Sequence, residues 1–226
     1  MSDTFDTLNA VLNARYSCRA FRADPVPETT IRQIVQAAGR APSWCNAQPW
    51  RATITHGAET DRFRALMQNT VATSKPTPDL AWPERYSGVY KDRRRTCGFQ
   101  LYEAVGVARD DRAARTAQSL RNYALFDAPH VALISTEAEL GPNGAVDCGG
   151  FVTTFMLAAT ALGVASVAQA SVAAYPDVIR AHFKLPESRL ILCAISFGYA
   201  DADHPANSFR TERADLNEIY DPRGTA

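Results

Sequence analysis

The chain reads as a mixed helix-and-strand domain, and three observations carry that reading. Two short, unbroken apolar runs, Val131-Ala132-Leu133-Ile134 and Leu190 to Phe197, fit strands covered on both faces and therefore central in a sheet. A third short segment alternates, with Trp50, Ala52 and Ile54 set against Arg51, Thr53 and Thr55, as a strand with one buried face does. Between them lie longer segments whose apolar residues recur at helical spacing. At 226 residues the chain can bury about 70% of its unfolded surface, so a sizeable core is expected.

Taken in order, Phe5, Leu8, Val11 and Leu12 fall on one helical face, and this first helix ends near Asn13. The stretch from Arg15 to Phe21 then alternates, which places Arg15, Ser17 and Arg19 on one side of an extended segment. Two guanidinium forks and a hydroxyl at that spacing can grip a phosphate dianion, although two solvated arginines beside a turn would read the same way. Pro25 and Pro27 stop the extended piece. Glu28 and Thr29 open a helix with the face Ile31, Ile34, Val35 and Ala38.

That helix delivers the chain to the loop Ala41-Pro42-Ser43-Trp44-Cys45-Asn46-Ala47-Gln48-Pro49-Trp50. Its two prolines fix φ and remove two backbone donors, so the helix cannot continue through it. Ser43, Asn46 and Gln48, flanked by two tryptophans, suit the edge of a flat heteroaromatic ring with carbonyl and N–H groups. A polar turn with two core tryptophans is the plainer alternative. The alternating strand follows and closes at His56-Gly57, and Asp61 to Gln68 reads as a short helix.

From Thr70 to Tyr90 the period is lost among Pro76, Pro78, Trp82, Pro83, Tyr86 and Gly88, as in a lid or binding loop. Arg93-Arg94-Arg95 is an isolated run in a neutral chain and reads as a solvated helix start or a salt-bridge cluster, not a nucleic-acid surface. Phe99, Leu101, Tyr102 and Val105 form a helix face, and Asp110 to Leu125 forms an arginine-rich helix. Gly144 to Leu162 is the longest apolar helical pattern, rich enough in small residues to pack closely in a core or on a symmetry mate, and Gly163 ends it. Gln169 and Ser171 follow among small residues, and Pro176 starts a short helix. The tail from Asp201 carries Arg210 and Arg213, then Leu216, Ile219 and Tyr220, apolar residues that suit a neighbouring subunit.

Absent features narrow the chemistry. Formal charge is zero, so the overall balance points to neither nucleic acid nor an anionic membrane, while arginine far outnumbers lysine, found only at Lys75, Lys91 and Lys184. Five scattered cysteines without a Cys-x-x-Cys pair read as reduced thiols. With no leader pattern and no apolar run near the roughly 20 residues of a membrane span, a soluble cytoplasmic protein is expected. No Gly-x-Gly-x-x-Gly follows a strand, no phosphate-binding Gly-x-x-x-x-Gly-Lys-Ser/Thr occurs, no Gly-x-Ser-x-Gly elbow is present, and the four histidines are far apart. A phosphate grip, a ring-reading loop, a candidate lid and a second arginine pair remain, a set that suits a flat phosphorylated cofactor.

Over nearly its whole length the chain resembles the nitroreductase family of FMN-dependent oxidoreductases. The resemblance rests on Arg15-Tyr16-Ser17-Cys18-Arg19, on Ala41-Pro42-Ser43 with Asn46-Ala47-Gln48-Pro49-Trp50, and on Asn207-Ser208-Phe209-Arg210-Thr211-Glu212-Arg213. It implies an α+β, three-layer fold, with a central mixed sheet covered by helices, in an intertwined homodimer. Residues 1–226 form one domain, and 201–226 is an extension wrapping the partner. It further implies FMN contacts from Arg15, Ser17, Arg19, Pro42, Ser43, Asn46, Gln48, Gln169, Ala170, Ser171, Arg210 and Arg213, with the proline-bracketed loop reaching the cofactor across the dimer. Trp44 and Cys45 stand where small residues are common in the family and so face the substrate. NAD(P)H is the implied co-substrate in a ping-pong reduction of a nitroaromatic to nitroso and hydroxylamino products. No side chain is assigned as acid or base, because the flavin N5 carries the hydride, and no metal is implied. Quinone or enone reduction, reductive dehalogenation and flavin breakdown share the scaffold, and a non-enzymatic flavin-binding protein is the alternative from another class.

Overall fold

The two apolar runs become the centre of a four-stranded sheet in the computed structural model, which describes residues 3–223. The first two and last three residues of the expected 1–226 domain lie outside the described residues. The strands are β1 (Arg51–Thr55), β2 (His130–Glu137), β3 (Ala165–Gln169) and β4 (Arg189–Gly198), in the order β1-β2-β4-β3. Each ladder is antiparallel, and the register shifts once, between Ile134 and Ser135. Among the described residues, the parallel component of the expected mixed sheet is confined to one bridge, Ser17 to Ser166.

Side-chain alternation along β2 divides the core into two. Ala132 and Ile134 face a cluster with Ile31, Ile34 and Ala38 from α2 (Glu28–Ala38) and Phe151 and Phe155 from α6 (Gly141–Ala161). Val131 and Leu133 face the opposite cluster. There Phe63 and Met67 come from α3 (Ala58–Thr73) and Ile179 from α7 (Pro176–Phe183), joined by Val172 to Tyr175. Helices therefore cover both faces of the sheet, giving the three layers expected, because neither central strand has a polar face to leave in water.

Several boundaries differ from the sequence reading. α3 runs on to Thr73, where Thr70 is buried and its hydroxyl donates to the Leu66 carbonyl (2.8 Å), and α4 spans Gly88–Ala104. The irregular segment is thus 74–87, not 70–90, and it is anchored. Thr77 N–H donates to Ala174 O (2.8 Å), and Asp79 accepts from Arg180 and from the Ile191 N–H, both at 2.7 Å. α5 covers only Arg112–Leu120, turns follow, and Leu125, Phe126 and Asp127 have φ of 56°, 51° and 60°, a left-handed run that a right-handed helix cannot contain.

The expectation that no segment approaches membrane-span length is corrected by α6. A window within Ala138–Ala161 reaches a mean hydropathy of 1.3, with alanine and glycine contributing where an unbroken run of large residues is missing. Cys148, Phe151, Phe155 and Ala159, spaced three or four apart, are its buried contacts with the core, and Gly163 (φ 73°) follows its end. By contrast α1 (Asp3–Ala14) buries no residue, so Phe5, Leu8 and Leu12 stay exposed, as do Leu216, Ile219 and Tyr220 in and beside α8 (Leu216–Ile219).

Candidate functional site

The segment from Arg15 to Phe21 lies extended along the edge of β3. Cys18 N–H donates to Ser166 O (3.1 Å), and Arg22 N–H to Tyr199 O (2.8 Å). Alternation does the rest: Cys18 is fully buried, whereas Arg15, Ser17 and Arg19 point the other way into a cavity of about 330 Å³. Arg210 and Arg213 line the same cavity, with Tyr16, Cys97, Phe209 and Thr211. The two ends of the chain are joined there by Asn207. Its side chain accepts from Arg19 N–H (2.8 Å) and donates to Ala20 O (2.9 Å) and Asp201 O (2.7 Å). No reading of residue types singled out Asn207 for this task. A buried asparagine in an otherwise polar tail was the available signal.

Among the described residues, none of Arg15, Arg19, Arg210 and Arg213 has a carboxylate within 4.0 Å. Burial, and then the neighbouring Arg213 charge, press the Arg15 pKa down, and burial does the same to Arg19. Four cations held together without counter-ions favour an anion between them. They are not equally free. Arg210 sits 3.7 Å over the Tyr16 ring and donates to Asn207 O and Phe209 O, both at 2.8 Å. Arg213 donates through Nη1 to Thr211 O, Thr211 Oγ1 and Glu212 O, while its Nε and Nη2 have no acceptor among the described residues. Arg19 lies 5.8 Å over Phe209 and donates to Ser17 O (3.2 Å).

Beyond Ser17, Arg19 and Cys97 the space opens into a second cavity of about 530 Å³. Val167 and Ala168 of β3 form one wall, and Phe99, Leu101 and Tyr102 of α4 another. The α4 residues had read as an ordinary core face, yet none of them is fully buried. A cationic cradle opening into a broader slot with apolar walls and a cationic rim suits a molecule with a phosphate at one end and a flat ring at the other.

The proline-bracketed loop is built differently and lines neither cavity. Cys45, Asn46 and Gln48 have φ of 50°, 57° and 48°. Ser43 Oγ accepts the Gln48 N–H (2.9 Å), Asn46 Oδ1 accepts from Gln48 Nε2 (3.1 Å), and Asp147 of α6 accepts the Trp44 N–H at 3.1 Å. Trp44 is 64% exposed and Pro42, at the loop's start, lies at the surface. Trp50 packs inward, its ring 5.4 Å from Phe151. Gln169 is buried, with its amide donating to Asn122 O (2.7 Å) and accepting from Ser196 Oγ (2.5 Å), so its side chain is engaged within the fold. Ala170 and Ser171 continue into a short turn at the end of β3, where the Ser171 hydroxyl is buried without a partner. Within one chain, therefore, the arginines converge and the loop stands apart.

The sequence model of the Nitroreductase family matches residues 12–199. Among proteins with assigned activities, the chain is 38% identical over 217 residues to the nitroreductase NfnB of Mycolicibacterium smegmatis, spanning 96% of this chain and 92% of that protein. It is 31% identical to the 4-nitrobenzoate reductase of a Nocardioides species, over 92% of this chain and 86% of the other. Among solved structures, the crystal structure of the FMN-dependent nitroreductase NfnB from Mycobacterium smegmatis in complex with NADPH superposes with a TM-score of 0.93 at 36% identity, covering 98% of this chain and all of that one.

Proposed function

The chain belongs to the nitroreductase family, and on that premise we propose that it is an FMN-dependent oxidoreductase that draws electrons from NAD(P)H to reduce nitroaromatic compounds. The observation that carries the proposal is the convergence of Arg15, Arg19, Arg210 and Arg213 on one cavity without a carboxylate partner among the described residues, next to a slot walled by Val167, Ala168, Phe99, Leu101 and Tyr102. These residues fit FMN. Arg15, Ser17 and Arg213 would hold the phosphate, and Arg210, engaged with Tyr16 and two carbonyls, would hold the cradle's shape. Arg19, at the junction of the two cavities, would set a fixed positive charge at the edge of the ring. Bound there, FMN would supply the two-electron exchange that the side chains of this site do not offer.

The site is completed in a homodimer, in which Pro42, Ser43, Asn46 and Gln48 of one subunit meet the ring held by its partner. Three groups of exposed apolar side chains support that assembly: Phe5, Leu8 and Leu12; Val146 and Leu162; and Leu216, Ile219 and Tyr220. The extension 201–226 would carry the last group onto the partner. Trp44 and Cys45 would face the acceptor, and the backbone of Gln169, Ala170 and Ser171 would border the ring at the end of β3. Reductant and acceptor would use the same slot in turn, which requires no separate nucleotide domain. A nitro group would pass through nitroso to hydroxylamino with protons from solvent. The two 4-nitrobenzoate reductases among the relatives, each 31% identical, support the acceptor class.

The test is the absorption spectrum of the purified protein. Yellow material that bleaches anaerobically with NADPH and recovers colour with nitrobenzoate supports the reading. A colourless preparation that takes up no FMN refutes it, and yellow protein that neither nicotinamide bleaches is a flavin carrier instead. Menadione or a halogenated tyrosine as the preferred acceptor would move the activity to a sister reaction.

A further inference from the structure

The second cavity carries more positive charge than a mononucleotide needs. Arg94 and Arg95 of α4 and Arg115 of α5 line it. Arg115 also lines a third cavity of about 290 Å³, together with Arg112, Thr116, Ser119 and Tyr102. The three spaces run on from one another, the first and second sharing Ser17, Arg19 and Cys97, and the second and third sharing Tyr102 and Arg115.

These arginines, like those of the cradle, lack counter-ions. Among the described residues, Arg94, Arg95, Arg112 and Arg115 pair with no carboxylate within 4.0 Å, although the neighbouring Arg93 does, with Glu218 at 2.8 Å. Asp111, the nearest acid in sequence, caps α5 by accepting the Ala114 N–H (2.8 Å). Arg94 is held 5.3 Å over the Tyr86 ring and Arg95 5.8 Å over Phe99, so aromatic faces and not acids fix these guanidinium groups. The Nε of Arg115 is buried and has no hydrogen-bond partner. A buried guanidinium donor without an acceptor is costly unless a ligand supplies one. In a chain whose charges sum to zero, such a local excess favours an anion, and the half-buried Arg115, among exposed Arg94, Arg95 and Arg112, is where it would be held.

We propose that Arg112 and Arg115, with the Ser119 hydroxyl beside them, form a second anion subsite that receives the phosphate on the adenosine ribose of NADPH. The inference rests on the reductase reading above and extends it from cofactor to co-substrate. Three features favour this occupant. The subsite is separated from the phosphate cradle by the whole second cavity, so a molecule that stacks there and reaches the subsite must be long. It combines the forked donors of Arg112 and Arg115 with the Ser119 hydroxyl, the pairing that suits a tetrahedral phosphate, while the Thr116 hydroxyl donates to Arg112 O (2.9 Å). Arg94 and Tyr86 between them offer a stacked cation and ring against which a purine could lie.

Two measurements test it. Calorimetric titration of the purified protein with adenosine 2′,5′-bisphosphate and with AMP should show the bisphosphate binding about tenfold tighter or more, as one or two charge-assisted hydrogen bonds require. Arg112→Gln and Arg115→Gln, singly and together, should erase that advantage, and Arg115→Lys should keep part of it. In turnover, the NADPH to NADH ratio of kcat/KM should fall about tenfold or more in the double variant. Equal affinity of wild type for the two adenosine nucleotides, or an unchanged coenzyme ratio in the variants, overturns the proposal. So does a KM that rises for nitrobenzoate and not for nitrobenzene or NADPH, which would give the cluster to the acceptor's carboxylate. The titration needs no electron transfer, so it stands whatever the outcome of the flavin spectrum, and the two readings can fail separately.

Discussion

Replacing Arg213 by alanine should cost flavin affinity while leaving the empty protein as stable as before. Arg213 spends Nη1 on three acceptors in its own segment, which fixes the guanidinium plane, and leaves Nε and Nη2 free to form one two-pronged contact with a phosphate. Two charge-assisted bonds at about 1.5–3 kcal/mol each give a loss of about 3–6 kcal/mol, or roughly two to four decades in Kd. In the empty protein the same charge presses against Arg15, whose pKa it helps to lower, so its removal relieves repulsion. Arg210→Ala should behave in the opposite way, because that side chain is spent on the Tyr16 ring and two backbone carbonyls and its loss loosens the cradle itself. The assay is FMN affinity by fluorescence titration, with urea unfolding of flavin-free protein alongside. Arg223→Ala is the control, since among the described residues Arg223 pairs with Asp221 alone, at the exposed tail. If Arg213→Ala unfolds at lower urea than wild type and holds FMN equally well, the charge at 213 serves the fold and the phosphate assignment fails.

Trp44→Ala should reorder acceptor preference, read as kcat/KM across nitrobenzoate, nitrobenzene and menadione, with FMN affinity within about threefold of wild type, since the indole is mostly exposed. An unchanged ranking would remove Trp44 from the acceptor pocket. Asp79→Ala should destabilise the protein by about 1–3 kcal/mol in urea unfolding, because it leaves the Ile191 N–H without its acceptor and removes one of the two carboxylates paired with Arg180, Asp177 remaining. A loss under 1 kcal/mol, the size of about one exposed ion pair, would mean the anchor of the 74–87 segment is solvated. His130 should make the fold acid-sensitive. Burial holds its pKa below the ordinary value, its Nδ1 donates to Thr55 O and its Nε2 accepts the Val26 N–H. The unfolded chain therefore binds the proton first. The stability this neutral ring supports is fully present above the unfolded pKa of about 6.5 and is lost as pH falls below it. Urea midpoints between pH 7.5 and 5.5 should slope downward, and His130→Gln should flatten the slope.

Much of the architecture was readable because its signals are short-range. Val131 to Ile134 and Leu190 to Phe197 have no polar face, so they had to be central, and β2 and β4 are. The spacing of Arg15, Ser17 and Arg19 required only an extended backbone to put them on one side. Where the reading failed, the deciding force was not periodic. The helix expected from Asp110 to Leu125 stops at Leu120, and the three left-handed residues at 125–127 that bar its continuation include no glycine or asparagine that would announce the turn. α3 passes its expected end because Thr70 is buried and satisfies its own hydroxyl within the helix, which a count of apolar residues misses. Asn207 joins positions 188 residues apart, a contact no local pattern encodes.

The ring-reading loop is the part of the site whose purpose a single chain leaves unused. Three non-glycine residues in the left-handed region cost about 1–3 kcal/mol each. The strained residues themselves, Cys45, Asn46 and Gln48, are all exposed, and the loop's inward packing comes from its ends, Pro49 and Trp50. Asp147 and Ser43 nevertheless hold it in this form, through the Trp44 and Gln48 N–H groups. Strain maintained at a surface by dedicated hydrogen bonds serves something outside the chain's own core. In the proposed dimer the beneficiary is the cofactor of the other subunit, and the same contact surface would cover the apolar faces that α1, α6 and α8 leave open. The arginine cradle and the strained loop would then be two halves of one site, the loop local in the sequence and the cradle drawn from both ends of the chain, brought together by assembly.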